Sequence, residues 1–339
     1  MPILNAQPYL ELEHATTSQT RVTNSASQYS LVQRESDLSY PAEVALRDLT
    51  PLITKVGNFP IARGGFGEVW KCIHQTDHGP TNVAVKVLLI YASGQLGDSE
   101  GMQKKTKRIQ REIRTCARLE HRNILPVFGY TYGFGLRMAI VYPWAGNGNL
   151  TTYLERQDET LPVFRRFQIL TDITAGLQYL HVNNVIHGDL TGPNVLIYSD
   201  GTACLADFGL SIVYSEVTTT SATSWTSSFH SNIRWLAPEL FGDPEDKPPV
   251  RPSKHSDIYS FGAIMLQVLS GKIPYYYLGE AALIQRVANG VKPLRARYPS
   301  VSNRYWRFIL MCWENAIESR PLIEGVVQWI VDEFNSLGS

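Results

Sequence analysis

The sequence predicts an α+β chain of two unlike lobes, a β-rich N-terminal half with one main helix and a mostly helical C-terminal half. Three observations carry this. Short apolar runs broken by glycine turns fill residues 55–90 and return at 124–142. Apolar residues at helical spacing run through Val163–His181. The stretch Ser256–Ser270 is apolar around most of its circumference, as in a helix buried inside a domain.

Taken in order, residues 1–50 are rich in Ser, Thr, Gln and Asn and read as a polar, flexible leader with one short helix near Ala42–Arg47. Phe59–Arg63, Glu68–Cys72 and Val83–Ile90 read as strands, separated by the turns RGGFG and HGP. A polar connector then leads into RIQREIRTCARLE, where Ile109, Ile113, Cys116 and Leu119 share one helical face. Ile124–Tyr130 and Arg137–Tyr142 complete the strands of this half.

The helix Val163–His181 places Phe164, Phe167, Leu170, Ile173, Leu177 and Leu180 on one stripe. Short strands and polar turns occupy Asn183–Gly209, followed by a Ser/Thr-dominated segment, Ser215–Ser231. Asp257 stands where it would cap the buried helix. The last helix, Leu322–Phe334, turns Val326, Val327, Ile330 and Phe334 inward. The expected domain is 51–337, with an N-lobe to about 143 and a C-lobe from about 144.

Lys and Arg number 31 against 31 Asp and Glu, a formal net charge of zero. That balance argues against a dedicated nucleic-acid binder and against a polybasic membrane-surface protein. No apolar stretch approaches the length of a membrane span, and the N-terminus has no secretory pattern. Four scattered cysteines, without a CxxC pair, fit reduced thiols in a cytoplasmic or nuclear setting.

Four motifs bear chemistry. In RGGFGEV, glycines between two strands let backbone N–H groups approach phosphates, although the turn alone is equally an ordinary hairpin. VAVK places Lys86 on a strand among apolar neighbours, where an ammonium snorkels or meets a fixed anion; Glu112 on the following helix would pair with it. In HGDLTGPN and ADFG, Asp189, Asn194 and Asp207 lie on two adjacent loops, a set of oxygens suited to a base and to Mg²⁺ with phosphate. Each Asp singly is as well explained by a turn; the ordered set is not.

RGGFGEV, VAVK, Glu112, HGDLTGPN, DFG, LAPE, SDIYSFG and ESRP together resemble the eukaryotic protein kinases, in order and at kinase-like spacing. RWLAPEL, SDIYSFG and MCWENAIESRP look most like the tyrosine-kinase-like group, and within it the fungal-type kinases with HGDLTGPN loops. The resemblance covers about Leu52–Phe334 and implies a bilobal protein kinase-like fold. It further implies that ATP and Mg²⁺ are bound and that a protein Ser/Thr hydroxyl receives the γ-phosphate, Tyr being less favoured.

Residue by residue, it implies that Gly64, Gly65 and Gly67 cover the phosphates. Ile61, Val69, Ala84 and Leu196 sandwich adenine, and backbone groups of Pro143 and Ala145 bond it beside a gating Tyr142. Lys86 pairs the phosphates and Glu112, Asp189 accepts the hydroxyl proton, and Asn194 and Asp207 hold Mg²⁺. Glu239 and Arg320 resemble a buried structural pair, Asp257 a catalytic-loop anchor, and His187 a structural residue.

Four positions depart from the pattern. Ala62 replaces the first glycine, Gly188 the Arg before the catalytic Asp, Thr191 the loop Lys that neutralises the γ-phosphate, and Asn232 a Thr. Losing the Lys contact is worth about 1.5–3 kcal/mol, enough to slow transfer without abolishing it. These departures motivate the alternative of a pseudokinase or ATP-binding scaffold. A small-molecule phosphotransferase with an HGD…N loop fits less well, since it lacks LAPE and SDIYSFG. The Ser/Thr segment between DFG and APE reads as a solvated flexible loop or, alternatively, as a phosphorylation site. With Gly188 in place of the Arg, its phosphorylation is not expected to be required for basal activity.

Overall fold

The computed structural model describes residues 46–64, 67–88, 113, 116–135, 138–208, 232–241 and 251–338. Gly65, Glu112 and the Ser215–Ser231 segment lie outside them.

The N-terminal sheet runs in the order β1-β3-β4-β6-β5, with β2 paired to β3. Its strands are β1 (Ile53–Lys55), β2 (Ala62–Gly64), β3 (Gly67–Thr76), β4 (Gly79–Leu88), β5 (Gly129–Thr131) and β6 (Ala139–Pro143), all paired antiparallel. The long β3–β4 hairpin forms because both strands alternate, and its register sorts the faces. Trp70, Cys72, Val83, Val85 and Val87 pack with Leu49, Phe134 and Val141 on one face. Val69 stands opposite Lys86, and Ala84 opposite Tyr142, on the other.

Several expectations are adjusted here. Ladder pairing at Phe59–Arg63 is confined to Ala62–Gly64, and at Ile124–Tyr130 to Gly129–Thr131. Of the expected strand Val83–Ile90, the described part to Leu88 is the second half of a longer strand that begins at Gly79, and Ile90 lies outside the described residues. Leu46 and Arg47 are extended rather than helical: the Arg47 carbonyl accepts from Tyr130 N at 3.0 Å and Leu49 N donates to Tyr130 O at 2.8 Å. The packed body therefore starts before residue 51.

The C-terminal half is helical around a two-stranded ribbon, β7 (Val195–Ile197) with β8 (Ala203–Leu205). Its helices are α1 (Leu150–Gln157), α2 (Val163–Val182), α3 (Lys254–Ser270), α4 (Glu280–Ala288), α5 (Asn303–Cys312) and α6 (Ile323–Gly338). The predicted stripe of α2 is the core: Phe167, Leu170, Ile173, Leu177 and Leu180 are fully buried, while Phe164 stacks on Phe334 of α6. From Ser256 to Ser270 every residue of α3 is buried. Its cap is Ser253, whose hydroxyl accepts from Ser256 N while Ser256 returns the bond to Ser253 N. Asp257 is thereby free to turn inward.

Candidate active site

Asp257 organises the loop between α2 and β7. Its carboxylate accepts from His187 N and Gly188 N at 2.9 Å each and pairs with His181 Nε2 at 2.9 Å. His187 itself is wholly buried and edge-on to Phe208, its Nδ1 facing Asp189 N at 3.4 Å. Burial holds the ring below its usual pKa, so it stays neutral and acts as a packing element.

That loop presents Asp189, 6% exposed. Asn194 Nδ2 donates to Asp189 Oδ2 and to its backbone carbonyl, both at 2.8 Å. Asn232 Nδ2 donates to Oδ1 and Oδ2 at 2.9 and 3.0 Å. Burial pushes this carboxyl up to about 7; the Asn232 and Asn194 amides pull it back, Asp207 pushes it up, and Lys86 lowers it.

Asp207 follows β8, where Ala206 N bonds Asn194 O at 2.9 Å and ties the two loops together. Its backbone sits at φ 61°, a left-handed conformation unusual for a non-glycine residue. Lys86 Nζ reaches across from β4 to Asp207 Oδ2 at 2.5 Å. The structure thus brings Lys86, Asp189, Asn194 and Asp207 into one cluster.

The other predicted positions that fall among the described residues lie on the strands or beside them. Val69 and Ala84 lie on the face of the sheet that carries Lys86. Ile61 is exposed at the sheet margin, its N–H bonded to Val69 O, and Gly64 and Gly67 close the β2–β3 turn. Ala145 follows β6 and is half-buried, as is Leu196, which packs with Leu125, Tyr142 and Cys204.

Asn194 and Asp207 offer one amide oxygen and one carboxylate. No group of three or more His, Cys, Asp or Glu able to hold a metal is present among the described residues. Two protein oxygens suit Mg²⁺, which keeps waters and substrate phosphates in its other positions. With Nδ2 committed to Asp189, the Oδ1 of Asn194 is the atom left for a cation.

Sequence reasoning did not find the support beneath the loop. Trp235 Nε1 donates to Gln267 Oε1 at 3.1 Å, and Gln267 Nε2 donates to Thr151 Oγ at 2.9 Å. This relay passes under Gly192, where a Cβ would stand 2.5 Å from both Gln267 Oε1 and Thr151 Oγ. The glycine of the LTGPN run is therefore required by close approach. A Gln inside the apolar run Phe261–Leu269 of α3 was the available signal, since a buried amide needs partners.

Residues 58–330 match the protein tyrosine and serine/threonine kinase family, and the chain belongs to it. Among curated relatives, it is 30% identical over 288 residues to the L-type lectin-domain containing receptor kinase I.3 of Arabidopsis thaliana, covering 80% of this chain and 40% of that protein. From the same plant, the leucine-rich repeat receptor-like protein kinase PXC2 is 28% identical, covering 79% and 27%. Serine/threonine-protein kinase STY46 is 26% identical, covering 82% and 44%. The chain spans less than half the length of each of these relatives. It is a protein kinase domain with the bilobal fold expected of one.

Proposed function

We propose that this domain transfers the γ-phosphate of ATP to a protein Ser or Thr hydroxyl. One observation carries the reading: the Asp189 carboxylate is held by two amides within the cluster that contains the Lys86–Asp207 pair. Asp189 takes the proton of the acceptor hydroxyl as its oxygen attacks the γ-phosphorus and the bond to the ADP oxygen breaks. Lys86 places its charge on the nucleotide phosphates. Asp207 and Asn194 hold Mg²⁺, which when bound neutralises phosphate charge. Ile61, Val69, Ala84, Ala145 and Leu196 surround the base, the glycines of the β2–β3 turn cover the phosphates, and Glu112 positions Lys86.

Thr191 is buried and has no hydrogen-bond partner for its Oγ among the described residues. Its short side chain carries no charge to the phosphate, which slows transfer without abolishing it. RWLAPEL, SDIYSFG and MCWENAIESRP support placement in the tyrosine-kinase-like group, beside kinases with HGDLTGPN loops. Four free cysteines support a cytoplasmic domain; separately, no helix of the described residues is long and apolar enough to cross a membrane.

The test incubates the purified chain with labelled ATP, Mg²⁺ and mixed protein acceptors, followed by phosphoamino-acid analysis. Label on Ser or Thr that disappears in Lys86→Met and Asp189→Asn supports the reading. Transfer that survives either substitution, or an inactive wild type, overturns it.

A further inference from the structure

The family match begins at residue 58, yet the chain is already packed at Leu46. Residues 47–50 run along the free edge of β5. The backbone bonds of Arg47 and Leu49 to Tyr130 make a parallel bridge centred on Asp48. Thr50 Oγ accepts from Tyr132 N at 3.1 Å, and Asp48 in turn accepts from Thr50 N at 2.9 Å. An exposed edge is thus covered by a strap from the same chain.

The sheet is shaped for this strap. Gly129 has φ 156°, and a Cβ there would stand 2.3 Å from the Arg47 carbonyl oxygen. Leu49, 1% exposed, fills the core beneath β3 and β4. Leu46 reaches further, packing against the cluster of buried Ile113 and Ile140, which Val127, Met138 and Tyr142 also cover.

Those contacts lead to the active site. Ile113 and Cys116 belong to one helical turn, with Ala117 N bonded to Ile113 O at 2.9 Å. Ile113, Val127 and Tyr142, all members of the cluster against which Leu46 packs, also line a cavity of about 20 Å³ whose other walls include Cys116, Asp207 and Phe208. Cys116 Sγ lies 3.8 Å from the Phe208 carbonyl. A contiguous run of packed side chains therefore joins the strap to Asp207, and close-packed interiors transmit displacement.

We propose that Leu46 is a positioning residue: held in place by the strap on β5, it braces the helical turn at Ile113–Cys116 against the sheet and so fixes the wall that carries Asp207 and Phe208. The proposal rests on the kinase reading only for its catalytic consequence. Leu46→Ala removes the brace and leaves the strap's backbone bonds and Leu49 in place. Leu46→Met restores apolar volume.

The test uses the full chain and two readouts. In Leu46→Ala, amide exchange at Ala117 should accelerate while that at Val85, in the sheet core, stays as in wild type. Its kcat should fall about three- to thirtyfold, the range expected for coupling through packed residues. The KM for ATP should move by less than about twofold, because the loss falls on the reacting arrangement rather than on ground-state binding. Leu46→Met should restore both readouts.

Gly129→Ala, which has no room for the Arg47 carbonyl, should reproduce the Ala117 acceleration by displacing the strap itself. Unchanged Ala117 exchange in Leu46→Ala, an unchanged kcat, or a loss that Met does not rescue would overturn the proposal. A wild type without transfer activity would instead count against the kinase reading, and Ala117 exchange would still decide the brace.

Discussion

The Asn232 amide nitrogen lies 2.9 and 3.0 Å from the two carboxylate oxygens of Asp189, 43 residues away in the chain. One carboxamide therefore spans the whole face of the carboxylate while Asn194 binds its Oδ2 edge. A Thr at position 232 would bring a single hydroxyl proton to the same site. Asn232→Ala should lower kcat about tenfold or more, the worth of a hydrogen bond to a charged group. Asn232→Asp should cost more, because a second carboxylate would face Asp189 directly. Steady-state kinetics check both; a kcat within about twofold of wild type in Asn232→Ala would refute the role.

The long elements were legible because burial imposes a period. The β3–β4 hairpin, α2 and α3 each carry enough apolar residues for alternation or a helical stripe to emerge. β1 did not, since its three residues are at most half-buried and carry no alternation. Helix α1 follows Asn149, whose side chain caps Thr152 N, but its single turn of buried Leu150 and Leu154 is too short for a stripe. The resemblance gave Asp257 as the anchor of the catalytic loop, while its place near the helix start suggested a cap, because position on a helix does not reveal which way a side chain turns. The cluster of Lys86, Asp189, Asn194 and Asp207 was readable from motif order. The amides and relay that support it were not, since they join residues far apart in sequence.

The Thr151–Gln267–Trp235 relay makes Gly192 a point of contact. Gly192→Ala would force its Cβ to within 2.5 Å of Gln267 Oε1 and Thr151 Oγ. Overpacking of this kind costs about 1–3 kcal/mol, and here the strain falls on the loop that carries Asp189. Both stability and kcat should drop. In the double variant with Gln267→Ala the losses should be less than additive, because the clash partner is gone. Strict additivity in a denaturation cycle would show that the two residues do not meet.

Glu239 and Arg320 form a bidentate pair, Nη1 to Oε1 at 2.6 Å and Nη2 to Oε2 at 2.8 Å. The guanidinium is also held by the carbonyls of His255 and Glu314. Its side chain is fully buried, so Glu239→Gln leaves a charge that neutral acceptors alone cannot match. A loss of about 3 kcal/mol or more is expected for breaking such a pair from one side. Urea unfolding of wild type and variant measures it; a loss under about 1 kcal/mol would mean that water reaches the guanidinium in solution.

Lys292 has its ammonium 4.7 Å from the centroid of the Tyr259 ring, over which the Arg320 guanidinium also sits, at 5.0 Å. Its Nζ is buried without a hydrogen-bond partner among the described residues. Burial pushes its pKa down to about 8, and Arg320 pushes in the same direction, against Glu239 and Glu314. Between about pH 8 and the ordinary lysine value near 10.4 the unfolded chain binds a proton that the folded chain does not. Stability contributed by this residue therefore rises with pH through that window, and the penalty is complete below it. Lys292→Met should stabilise the domain at pH 7 by about 1–2 kcal/mol, a figure reduced for the solvent that reaches the stem. The gap should shrink by about pH 10, where the wild-type amine is neutral in the folded state. Denaturation of both proteins at the two pH values gives the difference directly, with other titrations cancelling. A gap that is constant, or that widens as pH rises, would show that Lys292 keeps its charge at no cost against the Tyr259 ring.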